Sequence, residues 1–175
     1  MPLAGAASSP EGALVAKGNE SNILVRNSSA RDFFAPLSWK LTTEVIAARP
    51  NVIIDGIDYG SRVELTEINV PEGVTAIPNE AMAVCRACSS VTLPSTLVSI
   101  GVGAFYYCSS LRTINIPDNA THIGEFAFNQ CSSLSTIQLP DTLTTLGLAV
   151  FQDCSSLLEI DLPNSLKSIE VNAFY

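Results

Sequence analysis

The sequence predicts an α/β solenoid: a stack of 23-residue coils, each with one short parallel β-strand and a short helical or 3₁₀ turn on the opposite side. Three observations carry this. Cys85, Cys108, Cys131 and Cys154 are spaced 23 residues apart, and fixed self-similarity at such a period is the mark of a repeat architecture. Prolines keep the same clock at Pro71, Pro94, Pro117, Pro140 and Pro163. Bulky residues follow it at Tyr59, Met82, Phe105, Phe128, Phe151 and Phe174, as do Ile77, Ile100, Ile123, Leu146 and Ile169.

Within a unit, Leu111-Arg112-Thr113-Ile114-Asn115-Ile116 alternates with period two, which turns Ile114 and Ile116 inward and Thr113 and Asn115 outward. Pro117 has no N–H for the ladder and ends the strand. The return arm, Ile123-Gly124-x-x-Ala127-Phe128-x-x-Cys131, places Phe128 and Cys131 on one inward side of the expected helical turn. One coil cannot bury its own apolar side, so neighbours stack with strands about 4.8 Å apart and like residues form internal ladders. Phe105, Phe128, Phe151, Phe174 and the four periodic cysteines are those ladders. Cys88-Ser89-Ser90 copies the Cys-Ser-Ser of later units but lies out of register. In register, Cys88 takes the position of Leu65, Leu111, Leu134 and Leu157, a core place that a thiol fills as a small hydrophobe.

The units reading Ile-Gly-x-x-Ala-Phe-x-x-Cys-Ser-Ser-Leu-x-x-Ile-x-Leu-Pro, nearly intact over Ile123 to Pro140, resemble the BspA-like class of leucine-rich repeats. The resemblance covers roughly residues 71–175, with a degenerate copy at about 48–70 in which Arg62 replaces the ladder cysteine and Asp58 the small residue. It implies a curved leucine-rich-repeat stack with a parallel sheet on one face. It also implies protein or ligand binding rather than catalysis, some members being surface adhesins.

The segments outside the repeat give a division into residues 1–30, 31–50 and 51–175. The first is an Ala/Gly/Ser-rich tail expected to lack order. In the second, Phe34, Leu37, Leu41, Val45 and Ala48 recur at helical spacing, with Pro36 suited to a first turn and Pro50 just past the end. This predicts an amphipathic helical cap over the first coil, with docking of the same stripe and Trp39 on a partner as the rival reading. At the other end Phe174 and Tyr175 match Phe151 and Gln152, so the last coil is incomplete and Leu157 to Leu162 is expected to be an open edge strand. That edge serves either as the continuation point of a longer array or as an assembly surface for a scaffold or accessory subunit.

Composition excludes several function classes. The 175 residues carry nine Lys plus Arg against seventeen Asp plus Glu, a formal charge of −8, with 47% hydrophobic residues and a mean hydropathy of +0.31. There is no basic footprint for nucleic acid or an anionic membrane surface, and no apolar run approaches the roughly 20 residues of a membrane-spanning helix. From Pro71 onward three basic residues face nine acidic ones, so a partner steered by charge is expected to be basic. The first residues lack a basic cluster ahead of an apolar core and read poorly as a secretory signal. That and free thiols favour an intracellular setting, an extracellular one following if the chain is a fragment.

No constellation for chemistry emerges. Five cysteines are an odd count, Cys85-x-x-Cys88 has no partner pair for zinc, and parallel ladder positions hold Cβ atoms wider apart than a disulfide prefers; free buried thiols are expected. His122, the single histidine, sits in an expected turn without periodic partners, and the repeated serines satisfy backbone groups as turn residues do. Gly101-Val102-Gly103 lacks the Lys and spacing of a phosphate loop. No cofactor, metal or catalytic residue is expected. Three Asn-x-Ser/Thr acceptors, at Asn19, Asn27 and Asn119, are about what Ser and Thr abundance produces.

What remains is the outward face of the sheet. One column reads Glu67, Ser90, Thr113, Thr136, Glu159 and its neighbour Asn69, Thr92, Asn115, Gln138, Asp161. On a concave face Thr113, Asn115, Thr136, Gln138, Glu159 and Asp161, with Arg112 beside them, are the candidate partner-binding residues; a solvated face is the alternative. Tyr106 and Tyr107 break the pattern held elsewhere by Asn129-Gln130 and Gln152-Asp153. They are candidate aromatic anchors, or else pack on an adjacent coil. Taken together these readings point to a non-enzymatic protein-interaction module.

Overall fold

The computed structural model describes residues 51–175; the expected tail and helical cap lie outside the described residues. Among these residues the chain forms eleven short strands and no helix. The first two, β1 (Asn51–Ile54) and β2 (Ile57–Ser61), make an antiparallel hairpin. Its two-residue turn, Asp55-Gly56, has φ of 50° and 76°, the left-handed pair whose twist matches that of the flanking strands. Asp-Gly between Val52/Ile54 and Ile57/Tyr59 is a hairpin signal in the sequence itself. It replaces part of the degenerate coil expected over 48–70.

After the hairpin the chain winds into four coils that each contribute two strand segments, one more than expected, and a last coil that contributes one. The longer segments, β3 (Glu67–Asn69), β5 (Ser90–Thr92), β7 (Thr113–Asn115) and β9 (Thr136–Gln138), form one parallel sheet in the order β3-β5-β7-β9. Each pairs with its neighbour at a 23-residue offset, as in Thr113 with Thr136 and Asn115 with Gln138. Every one has its central residue buried and its flanks exposed, so the predicted alternation is present. The shorter segments are β4 (Ala76–Ile77), β6 (Ser99–Ile100), β8 (His122–Ile123), β10 (Thr145–Leu146) and β11 (Ser168–Ile169). They form a three-stranded parallel sheet, β4-β6-β8, and a separate pair, β10-β11. His122 therefore lies in a strand and not in a turn.

The helical or 3₁₀ turns of the expected coil are absent for a conformational reason. The return arm is a chain of β-turns, closed by bonds such as Ala104 N–H to Gly101 O (3.3 Å) and Cys108 N–H to Phe105 O (3.2 Å). The third residue of each such turn is left-handed, at Glu80, Gly103, Phe126, Ala149 and Asn172 and again at Val84, Tyr107, Gln130 and Asp153, with φ between 50° and 66°. A left-handed residue every fourth position cannot propagate a right-handed helix. Alternate amides then turn outward to the next coil: Gly103, Phe105 and Tyr107 donate to the carbonyls of Glu125, Ala127 and Asn129 at 2.8–2.9 Å. The turns thus make a second hydrogen-bonded ladder along the stack.

The core runs the length of the stack as columns. Phe105, Phe128, Phe151 and Phe174 stack ring on ring, with centroids 5.1, 5.6 and 5.6 Å apart and interplanar angles of 3°, 14° and 17°. All five cysteines are buried and free. The column of the four periodic cysteines is a hydrogen-bonding one: the Sγ–H of Cys108, Cys131 and Cys154 donates to the carbonyls of Met82, Phe105 and Phe128 in the preceding coil, each at 3.1 Å. Burial holds Cys131 and Cys108 well above the usual thiol range, Cys88 at about 11 and Cys154 at about 12. Cys85 goes the other way, its thiolate favoured first by the Cys108 thiol and also by Arg62. Arg62 fills the head of this column, fully buried, and donates to the carbonyls of Ala83, Glu80 and Asn51. It joins the hairpin to the first coil.

Two interruptions break the regularity. Between β8 and β10 the short-strand ladder is open. Gly101 and Gly124 lie so close to the preceding coil that a Cβ would stand 2.5 Å from its backbone, whereas at Gly147 the nearest atoms, those of Glu125, are 3.6 Å away. Glu125 occupies the wider gap, with Oε2 buried and unpartnered. The second interruption is on the long-strand sheet: residues 157–162, expected as the edge strand, form no strand, and the sheet ends at β9.

Candidate functional site

The second interruption opens a recess of about 420 Å³ at the end of the long-strand sheet. Outward residues of β7 and β9, Thr113, Asn115, Thr136 and Gln138, line one side, and Asp161, Leu162 and Pro163 line the other. Ile137, Leu139 and Asp141 complete it. The strand geometry explains the polar wall. Alternation sends Ile114 and Ile137 into the core and leaves the flanking Thr, Asn and Gln side chains in solvent.

The opposite wall is the 157–162 segment of the last coil, which forms no strand against β9. Leu162 occupies the column of Ile116 and Leu139, which are 3% and 9% exposed, yet it is itself 44% exposed. Ile160, in the column of Ile114 and Ile137, is only partly buried. Among the described residues no backbone hydrogen bond joins this segment to β9, and two acidic side chains, Asp141 and Asp161, face a space lined by no Lys, Arg or His. Such an arrangement accepts hydrogen bonds through carboxylates and amide oxygens and donates them through Asn, Gln and Thr.

Of the candidate residues, the structure brings Thr113, Asn115, Thr136, Gln138 and Asp161 together in this recess. Glu159 and Arg112 do not line it. The Arg112 backbone serves the ladder instead, its carbonyl accepting from Ser135 N–H at 2.9 Å and Ser135 Oγ–H at 3.2 Å. Asp141, Ile137, Leu139, Leu162 and Pro163 were not singled out by the sequence. Asp141 follows Pro140 in a column (Glu72, Ser95, Asp118, Asp141, Asn164) that lies outside the strand motif, and it shares the lining of the recess with Asp161.

The two tyrosines divide. Tyr106 is buried, 4% exposed, which removes it as an exposed anchor, and burial first of all pushes its hydroxyl above the usual phenol range. Tyr107 is half-buried, with the Arg86 guanidinium 4.5 Å from its ring centroid. The serines of Cys-Ser-Ser do not bond locally where their partners are seen: Ser155 and Ser156 reach the Ser132 carbonyl of the preceding coil at 3.4 and 2.7 Å. His122 is exposed, its Nδ1 2.8 Å from Thr121 Oγ1. Among the described residues no group of three or more His, Cys, Asp or Glu is placed to hold a metal ion, and no helix is long and apolar enough to cross a membrane.

Stacked parallel coils with a continuous aromatic column and a polar sheet face define a leucine-rich-repeat protein. Residues 58–175 match the sequence model of the BspA type leucine rich repeat region, in 6 copies, and the chain belongs to that family. Solved structures with the same fold include a leucine-rich-repeat protein of T. pallidum (36% identity, TM-score 0.60, covering 62% of this chain and 53% of that one). Others are leucine-rich-repeat proteins of Bacteroides ovatus (27%, 0.50, 71% and 41%) and Eubacterium ventriosum (21%, 0.56, 71% and 41%), the last a likeness of fold alone. The chain spans about half or less of the length of these proteins. No curated protein matches it.

Proposed function

We propose that this chain is a non-enzymatic protein-interaction module that binds through the polar face of its long-strand sheet. The observation that carries the reading is the recess at the end of that sheet, where Thr113, Asn115, Thr136 and Gln138 from two coils meet Asp161 from a third. Its volume falls in the range of about 300–1,000 Å³ typical of ligand-binding clefts, and its polar lining donates and accepts hydrogen bonds. The partner is basic: over residues 51–175 four Lys or Arg face thirteen Asp or Glu, and such a field favours association with positive surfaces.

The test is affinity capture on immobilised wild-type protein and on the N115A/Q138A/D161A variant, both shown folded by circular dichroism, with retained proteins identified by mass spectrometry. Proteins held by the wild type and lost from the variant are the expected result. Retention of the same proteins by both places binding elsewhere and defeats the reading.

A further inference from the structure

The recess is bounded on one side by a free sheet edge, and this specifies what kind of partner fits it. At the β3–β5 and β7–β9 interfaces the backbone is bonded across coils just outside the strands: Ser89 N–H to Thr66 O, Val70 N–H to Thr92 O, Ser135 N–H to Arg112 O and Ile116 N–H to Gln138 O, at 2.8–3.1 Å, and at β5–β7 Arg112 N–H reaches Ser89 O at 3.5 Å. The equivalent positions beyond β9 are the Ser135 carbonyl with Leu158 N–H, and Leu139 N–H with the Asp161 carbonyl. Neither pair is bonded, and among the described residues no backbone hydrogen bond joins 157–162 to β9. β9 therefore presents the unpaired donors and acceptors of an edge strand to the recess. Ile137, Leu139 and Leu162 supply apolar surface beneath, and Asp141 and Asp161 supply negative charge with no Lys, Arg or His in the lining.

We propose that an extended segment of the protein partner, carrying a lysine or arginine, adds to β9 as the next strand of the sheet. Its main chain bonds to the Ser135–Leu139 edge and its cationic side chain lies between Asp141 and Asp161. Main-chain bonds supply affinity in such strand addition, and the alternating side chains supply specificity. The inference rests on the binding reading above and adds to it the partner's conformation and charge.

The experiment uses a fluorescein-labelled octapeptide of alternating valine and threonine with two lysines, and the same peptide N-methylated at alternate residues. Methylation keeps the charge and removes the donors of one edge. Fluorescence anisotropy should show binding of the first peptide, at least tenfold weaker binding of the methylated one, and at least tenfold weaker binding of the first peptide to D141N/D161N protein. Hydrogen exchange should show Ile137 and Leu139, whose amides face the open edge, gaining protection with the first peptide. Equal binding of the two peptides, no binding of either, or amides of 158–161 as protected in the free protein as those of 113–115 would each overturn the proposal. If partner capture is lost in N115A/Q138A/D161A while the peptide fails to bind, the binding reading stands and strand addition falls. If the peptide binds as described while capture is unchanged, strand addition stands and the partner captured binds elsewhere.

Discussion

Gly124 and Gly147 occupy the same place in successive repeats, and alanine at each should have opposite effects. At Gly124 a Cβ would stand 2.5 Å from Val102 N, 2.6 Å from Gly101 C and 2.8 Å from Gly101 O. All three are backbone atoms of the preceding coil, and the closest contact falls about 0.9 Å short of the 3.4 Å at which ordinary van der Waals contact begins. Relief requires the coils to separate, yet they are held by Gly124 N–H to Ile100 O at 2.8 Å and Gly103 N–H to Glu125 O at 2.9 Å. Overpacking a close-packed site costs about 1–3 kcal/mol, and with those bonds stretched G124A should lose about 3 kcal/mol. At Gly147 the nearest atoms, all of Glu125, are 3.6 Å away. There alanine meets ordinary contacts and lowers the entropy of the unfolded chain, a gain of about 0.4–1 kcal/mol. Urea unfolding followed by circular dichroism measures both. Equal losses in the two variants would refute the opening between β8 and β10 and the reasoning built on it.

Removing a ring from the aromatic column should cost according to its depth: F128A, fully buried between two rings, about 3–5 kcal/mol in urea unfolding, and F174A, 43% exposed, much less. The thiols should make the protein sensitive to alkali. Cys88, Cys108, Cys131 and Cys154 have folded values above the ordinary 9.0, so their contribution is intact below 9.0 and is lost as pH rises through the folded values. The loss amounts to about 1.4 kcal/mol per thiol per pH unit in that window, and thiol reagent should find five groups only after denaturation. Glu72 accepts the Ser95 N–H and Oγ–H at 3.0 Å each, which holds its carboxylate below the usual 4.5. Its stabilising contribution is present above 4.5 and is lost as pH falls through the lower folded value. An NMR titration should place the Glu72 midpoint below 4.5, and in S95A the midpoint should rise while remaining depressed through the Ser95 N–H.

Periodicity made much of this molecule readable. The 23-residue clock of Cys108, Phe128 and Pro140 stands because each column is an interior position repeated by stacking, and any polar intruder would be buried against its neighbours. Thr113 and Asn115 were legible as outward for the same reason, strand alternation. The turn arm was misread because Ala127-Phe128-x-x-Cys131 has the spacing of a helical face. The left-handed residues at Phe126 and Gln130 that forbid a helix are neither Gly nor Asn, and in the column of Phe126 only Gly103 and Asn172 are of a type that favours such a backbone.

By itself the sequence determined the repeat, its register, the inward columns and the family, since these follow from which side chains must leave water at fixed intervals. Only the tertiary structure decided where the repeat fails. Gly147 is the same residue as Gly124 in the same column, and Leu162 continues the column of Ile116 and Leu139. Whether a coil closes on its neighbour depends on side chains from the adjacent coil, Glu125 in one case, and on how far the last coil follows the edge of β9. The candidate site lies at the second of these openings, because a position in register describes where a strand would pair and not whether it does.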